Sequence, residues 1–144
     1  MTPQANVGID LTPFEKQFPE ALGHGRAPTL ATSAPDGTPD IGPKGSLFVA
    51  DKDHLAYLER SHREHLRNLK ENPKVAVMFL DRDADTPFAR FWGTAELLES
   101  GAERDALRSR VIHDELTKDP DNKGVMVKIR VDRIATPKGS FVRG

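Results

Sequence analysis

The residues best suited to chemistry lie in one stretch, Ser61-His62-Arg63-Glu64-His65-Leu66-Arg67-Asn68-Leu69-Lys70-Glu71-Asn72-Pro73. Ser61 followed three residues later by Glu64 is a capping box, in which a hydroxyl and a carboxylate satisfy backbone N–H groups at a helix start. Leu66 and Leu69 are spaced to bury one stripe, while Arg63, Arg67 and Lys70 fall on neighbouring turns of another face. Asn72-Pro73 ends the helix, because the residue before proline is pushed out of the α region. Such a helix gathers free N–H groups, the positive end of its dipole and arginines at its first turns, which suits a phosphate. Arg60, Arg63, Arg67, Lys70 and Lys74 face only Glu64 and Glu71, a local charge of +3 in a chain of net charge −1. A solvated helix face carries the same pattern, and these residues alone leave both readings open.

A second candidate is Gly42-Pro43-Lys44-Gly45-Ser46. Prolines interrupt strand pairing and glycines bare the backbone, so this stretch either presents backbone groups to a flat ligand or is a bulged edge strand. Other constellations carry less. Gly23-His24-Gly25 follows a helix rather than a strand and has Pro28 at the third glycine position, so it is not a dinucleotide fingerprint. Asp81-Arg82-Asp83-Ala84-Asp85 opens like a calcium loop but lacks the glycine and the final glutamate, and reads as a solvated loop. His62 and His65 are a turn apart with no third ligand in sight, so no metal site is expected. There is no nucleophile elbow, P-loop or His-Glu-x-x-His. Any redox or group-transfer chemistry would then rest on a cofactor.

The elements that must position these residues follow from pattern. The 144 residues suit one domain, with 37% hydrophobic and 30% charged residues and no apolar run long enough to span a membrane. The absence of cysteine excludes disulfides and thiolate chemistry. Near-neutral charge argues against nucleic acid or a membrane surface as partner, and the N-terminus has no secretory pattern, so a cytoplasmic location is expected. Residues 1–11 read as a loose arm. Phe14, Phe18 and Leu22 predict a helix over 13–22 that starts at Thr12-Pro13. Strands are expected at 29–34, 38–49, 54–58, 75–80, 88–98 and 125–132, the fourth apolar on both faces and the fifth carrying Gly93 as a bulge or contact point. Ser100 and Glu103 predict a second capping box, with a helix over 102–116. The tail from Ile134 shows no regular pattern. Six strands, mostly antiparallel by loop length, with three helices point to a small barrel.

In order and spacing, the chain resembles the flavin-binding split-barrel proteins, the family of pyridoxamine 5′-phosphate oxidase. The resemblance spans about Ala27 to Leu98. It rests on Leu30-Ala31-Thr32, Asp36-Gly37-Thr38-Pro39, Pro43-Lys44-Gly45-Ser46, Leu58, Arg63, His65, Arg67-Asn68-Leu69, Asn72-Pro73-Lys74-Val75-Ala76-Val77 and Gly93-Thr94-Ala95-Glu96-Leu97.

The resemblance implies a mainly β (α+β) fold, a six-stranded antiparallel split β-barrel with short flanking helices. It implies a homodimer binding FMN between protomers, and an FMN-dependent oxidoreductase acting on a small molecule. By the same resemblance Ser61, Arg63, His65 and Arg67 would hold the cofactor phosphate, and Pro43, Lys44, Gly45 and Ser46 would lie against its ring system. Family members commonly carry lysine or arginine at the position of His65. Trp92, Phe141 and Arg143 are further candidates for reaching a partner's flavin. Two alternatives share the fold. One is an enzyme using a deazaflavin, with room for a longer charged tail, or haem, for which His24, His62 or His65 would supply the axial ligand. The other is a non-catalytic flavin-binding module.

Overall fold

The structure, a computed structural model, describes residues 6–143. In chain order these form β1 (Asn6–Val7), a single 3₁₀ turn (Thr12–Phe14), α1 (Gln17–Gly23), β2 (Thr29–Ser33), β3 (Pro39–Pro43), β4 (Phe48–Asp51) and β5 (His54–Glu59). Then follow α2 (Glu64–Glu71), β6 (Lys74–Leu80), β7 (Phe88–Leu98), α3 (Ala102–Arg108), α4 (His113–Leu116), β8 (Val125–Thr136) and β9 (Gly139–Val142). The sheet runs β1-β9-β8-β7-β6-β2-β3 and is antiparallel except where β1 meets β9. It forks at β8. The first half of that strand, through Arg130, pairs with β5, its last residues from Arg133 pair with β9, and β7 lies along its other edge throughout. β4 joins through β5 alone.

The mainly antiparallel split-barrel architecture is the expected one, but among the described residues the strands number nine rather than six. The expected strand 38–49 is two strands, because Pro43-Lys44-Gly45-Ser46 turns the chain between them. The tail is regular: β8 continues past Asp132 and returns through Gly139, at φ 142°, into β9. The loose-arm expectation does not hold for residues 6–11. Asn6 and Val7 pair with Phe141 and Val142, while Ile9 and Leu11 are buried and the Leu11 N–H donates to the Lys52 carbonyl. Residues 1–5 lie outside the described residues.

Packing explains the order of elements. Leu30, Leu55, Tyr57, Val75, Val77, Phe79, Phe91, Val127 and Ile129 fill the interior. Phe14 and Phe18 cap it, with ring centroids 5.1 Å from Phe91 and 5.4 Å from Phe79. Burying Phe18 alone is worth about 1.5–3 kcal/mol. β5 is buried on both sides, because Ala56 and Leu58 pack outward against Leu107, Val111 and Met126 under α3. Gly93 marks a register shift in β7, where a Cβ would collide with the Arg130 carbonyl and the Ile129 side chain. β6 is central, but only its Val75, Val77 and Phe79 face is covered. Met78 and Leu80 are exposed, as is Ile41, so the expectation of burial on both faces fails in the single chain.

Neither capping box forms. α2 begins after Arg63 with no side-chain cap, because the Ser61 hydroxyl donates instead to Glu59 Oε2 at 3.0 Å. α3 begins after Gly101, at φ 105°, while Glu103 accepts a bond from Lys128 Nζ at 2.9 Å. The expected 102–116 helix breaks around Arg110, whose guanidinium donates to the carbonyls of Val49 and Ala50. The helix expected over 13–22 is a 3₁₀ turn followed by α1. Among the described residues no helix is long and apolar enough to cross a membrane.

Candidate functional site

After β3 the chain turns tightly. The Lys44 N–H donates to the Pro28 carbonyl, and the Leu47 N–H donates back to Lys44. Buried Ser46 then replaces a strand ladder. Its Oγ accepts the Leu58 N–H at 3.0 Å and donates to the Leu58 carbonyl at 3.3 Å. This staple sets Pro43–Ser46 beside Leu58–Ser61, and the two enclose a cavity of about 100 Å³ completed by Glu115. Two stretches singled out separately in the sequence, the Gly-Pro-rich turn and the approach to the basic helix, therefore meet. Glu115 lies over Gly45, where a Cβ would stand 3.4 Å from its carboxylate.

The cavity floor is a carboxylate that the sequence reading missed. Glu59 is 1% exposed, and its oxygens accept from Lys44 Nζ at 3.0 and 3.1 Å, Ser61 Oγ at 3.0 Å and Tyr57 OH at 3.4 Å. Lys44 Nζ also sits 5.4 Å from the centre of the Tyr57 ring. Burial, with the Glu59 charge beside it, pushes the Tyr57 phenol far up, so it remains a neutral donor. One signal could have found Glu59: it continues the inward parity of Leu55 and Tyr57, so an acid there must meet a partner.

The basic residues divide. Arg60 and Arg63 are exposed, and among the described residues neither has a side-chain hydrogen bond or ion pair. Arg60 lines the cavity, and Arg63 precedes the uncapped first turn of α2. Arg67 is also exposed and meets Glu64 Oε1 at 3.3 Å, an ion pair of little energetic weight in solvent. His65 packs against β2 and β3, where a Cβ on Gly42 would stand 3.4 Å from its Nε2. Its Nδ1 is 2.8 Å from Thr32 Oγ1, which Asn68 also donates to, and its Nε2 is 3.7 Å from Asp40. Burial, then the Lys44 charge, lowers its pKa below 6.5, so at neutral pH it offers no cation.

Trp92 is not brought to the cavity. It stands on the outer sheet face in the row Ile41–Ala31–Ala76–Trp92–Arg133, between the guanidinium groups of Arg133 (3.7 Å from the ring centroid) and Arg90 (4.9 Å). Arg143 is tied to its own chain, donating to Asp53 Oδ2 at 3.0 Å and the Val131 carbonyl at 2.7 Å, and Phe141 packs on the core. The loop read as solvated hides Asp81, which is buried and holds His24 and Arg26.

Residues 14–137 match the family model described as pyridoxamine 5′-phosphate oxidase. The chain belongs to the pyridoxamine 5′-phosphate oxidase family. Solved structures agree in fold. A Lactobacillus delbrueckii protein described as a candidate pyridoxamine 5′-phosphate oxidase is 28% identical with a TM-score of 0.64, over 83% of this chain and 90% of that one. HupZ of Group A Streptococcus is 25% identical with a TM-score of 0.67, over 90% and 98%. An FMN-binding protein of Syntrophomonas wolfei, at 20% identity and a TM-score of 0.60 over 88% and 90%, shares the fold. A search of curated protein sequences returns no match. Within the pyridoxamine 5′-phosphate oxidase family fold, the Pro43–Ser46 turn and Leu58–Ser61 line the Glu59 cavity, and α2 begins three residues after Ser61.

Proposed function

We propose that this member of the pyridoxamine 5′-phosphate oxidase family is an FMN-dependent oxidoreductase that works as a homodimer, with the cofactor in a groove between protomers. The observation that carries the reading is the meeting of the Pro43–Ser46 turn with Arg60 and Ser61 at one cavity, a short step before the uncapped start of α2, while among the described residues neither Arg60 nor Arg63 has a side-chain hydrogen bond or ion pair. These residues fit an elongated ligand with one anionic end. Arg63 and the first-turn N–H groups of α2 would hold a phosphate, and the backbone of Pro43, Lys44, Gly45 and Ser46 would lie along the ring. Bound FMN supplies hydride and single-electron transfer. The chain's own part is to bind, orient and keep water away. His65 and Trp92 have no part in phosphate binding on this reading.

The exposed apolar residues of the outer sheet face, Ile41 at 69% and Leu80 at 51% with Met78 between their rows, support a second copy as the cover. Of the histidines weighed as haem ligands, His62 engages its Nε2 with the Lys123 carbonyl, while His24 and His65 engage Nδ1, with Asp81 and Thr32.

The test is the visible spectrum of protein purified without added cofactor, followed by FMN titration read by fluorescence quenching. An oxidised-flavin spectrum or saturable quenching supports the reading. Nicotinamide-dependent reduction of the bound flavin then separates an enzyme from a passive flavin carrier. A colourless protein that leaves FMN fluorescence unchanged overturns it, and a deazaflavin is the next ligand to titrate.

A further inference from the structure

The cavity wall carries four cationic or hydroxyl side chains; Ser46 is bound to the Leu58 backbone, which leaves Lys44, Arg60 and Ser61 to meet an anion, and two of these are already committed to the cavity's own floor. Lys44 is 15% exposed at its side chain and gives both its observed hydrogen bonds to Glu59, while the Ser61 hydroxyl gives its one proton to the same carboxylate. A second carboxylate, Glu115, closes the opposite side over Gly45. With Lys44 and Arg60 against Glu59 and Glu115, the lining is neutral, although the stretch around it is basic. A phosphate entering such a cavity meets a like charge in the floor and donors that are taken.

We propose that Glu59 acts as a latch on Lys44 and Ser61. It holds both donors off an anionic ligand and so sets how far the site prefers a phosphorylated flavin over an unphosphorylated one; Lys44 becomes a phosphate ligand only when it leaves Glu59. This rests on the FMN reading above. The physical reason is competition for the same protons. An ammonium shared with a buried carboxylate gains little from a second anion, because the carboxylate left behind in a poorly solvated floor loses its charge partner. Replacing Glu59 by glutamine keeps one acceptor oxygen, for either Ser61 or Tyr57, which meet different oxygens of the carboxylate, and removes the charge that detains Lys44. The latch is a specificity device: it lowers affinity for the phosphate end and leaves contacts to the ring unchanged.

The experiment compares dissociation constants for FMN and riboflavin, by fluorescence quenching, in the wild type, Glu59→Gln and Glu59→Gln/Lys44→Met. Glu59→Gln is expected to tighten FMN about tenfold, the scale of one charge-assisted hydrogen bond, without changing riboflavin. The double variant is expected to lose that gain. FMN binding to the wild type with an FMN-to-riboflavin ratio that Glu59→Gln leaves unchanged or lowers overturns the latch and spares the FMN reading. FMN binding to neither protein overturns both. FMN binding to Glu59→Gln alone supports the latch in its strongest form. Should Glu59→Gln fail to fold, the wild type decides. In the wild type the Lys44 ammonium nitrogen resonance is expected to stay in place on adding FMN, as on adding riboflavin, and a resonance that FMN alone moves overturns the proposal, because Lys44 would then reach the phosphate with Glu59 present.

Discussion

Arg63→Ala tests the phosphate end of the site with little structural interference. Arg63 is exposed and, among the described residues, has no side-chain hydrogen bond, so its removal is expected to change stability by no more than about 0.5 kcal/mol. A hydrogen bond to a charged group is worth about 1.5–3 kcal/mol, and solvent at this exposed position trims the gain toward the lower end. Taking about 1.4 kcal/mol as the floor gives at least a tenfold loss of FMN affinity. The neighbours provide an internal scale. Arg67 already faces Glu64, so Arg67→Ala is expected to cost less than Arg63→Ala. His65 is turned toward Thr32 and Asp40, so His65→Asn is expected to leave FMN binding close to that of the wild type at neutral pH. Fluorescence titration with FMN, and with riboflavin as the ligand lacking phosphate, reads all three. An Arg63→Ala protein that is folded and binds FMN within twofold of the wild type would refute the assignment. So would an equal loss for riboflavin, since that would place Arg63 at the ring.

Other perturbations reach the rest of the argument. Gly93→Ala forces a methyl group into the Arg130 carbonyl and Ile129, and is expected to cost about 1–3 kcal/mol in urea unfolding; an unchanged midpoint would show that β7 and β8 can separate there freely. His65 has a folded pKa below 6.5, so the unfolded chain binds the proton more readily and stability falls as pH drops from 6.5 through the lower, folded value. Melting temperatures across that range should fall less steeply in His65→Asn, and parallel curves would contradict the burial argument. Leu80→Glu, on the exposed face of β6, is expected to turn a dimer of 15.9 kDa chains into a monomer by sedimentation, and a wild type that already sediments as a compact monomer would end the shared-groove reading.

Much of the sheet was legible because its signals are local. The Phe88–Leu98 strand was read to the residue, and Gly93 was marked as a contact point from the absence of a side chain alone. The capping boxes failed for a reason no local rule contains. Ser61 had a stronger acceptor in buried Glu59, two residues back in sequence, and Glu103 had Lys128 on a distant strand. The turn at Pro43–Ser46 was marked as a place where something approaches, and the structure gives it a cavity. What lay beyond local pattern was the sharing of donors: nothing in Lys44-Gly45-Ser46 announces that Lys44 faces an acid fifteen residues on. The resemblance groups His65 with the arginines, yet Thr32 of β2 and Asp40 of β3 hold it against the sheet.

The fork at β8 has a kinetic consequence. β5, which carries Tyr57 and Glu59, has β4 on one edge and waits for Val125–Arg130 on the other, partners more than sixty residues away in the chain. Closing so long a loop costs entropy before any of the pairing returns it, so folding is expected to be slow for a chain of this length. Until β8 docks, the hairpin of β4 and β5 presents an open edge and the carboxylate of Glu59 stays in water. The cavity therefore matures late, as part of the same event that completes the barrel.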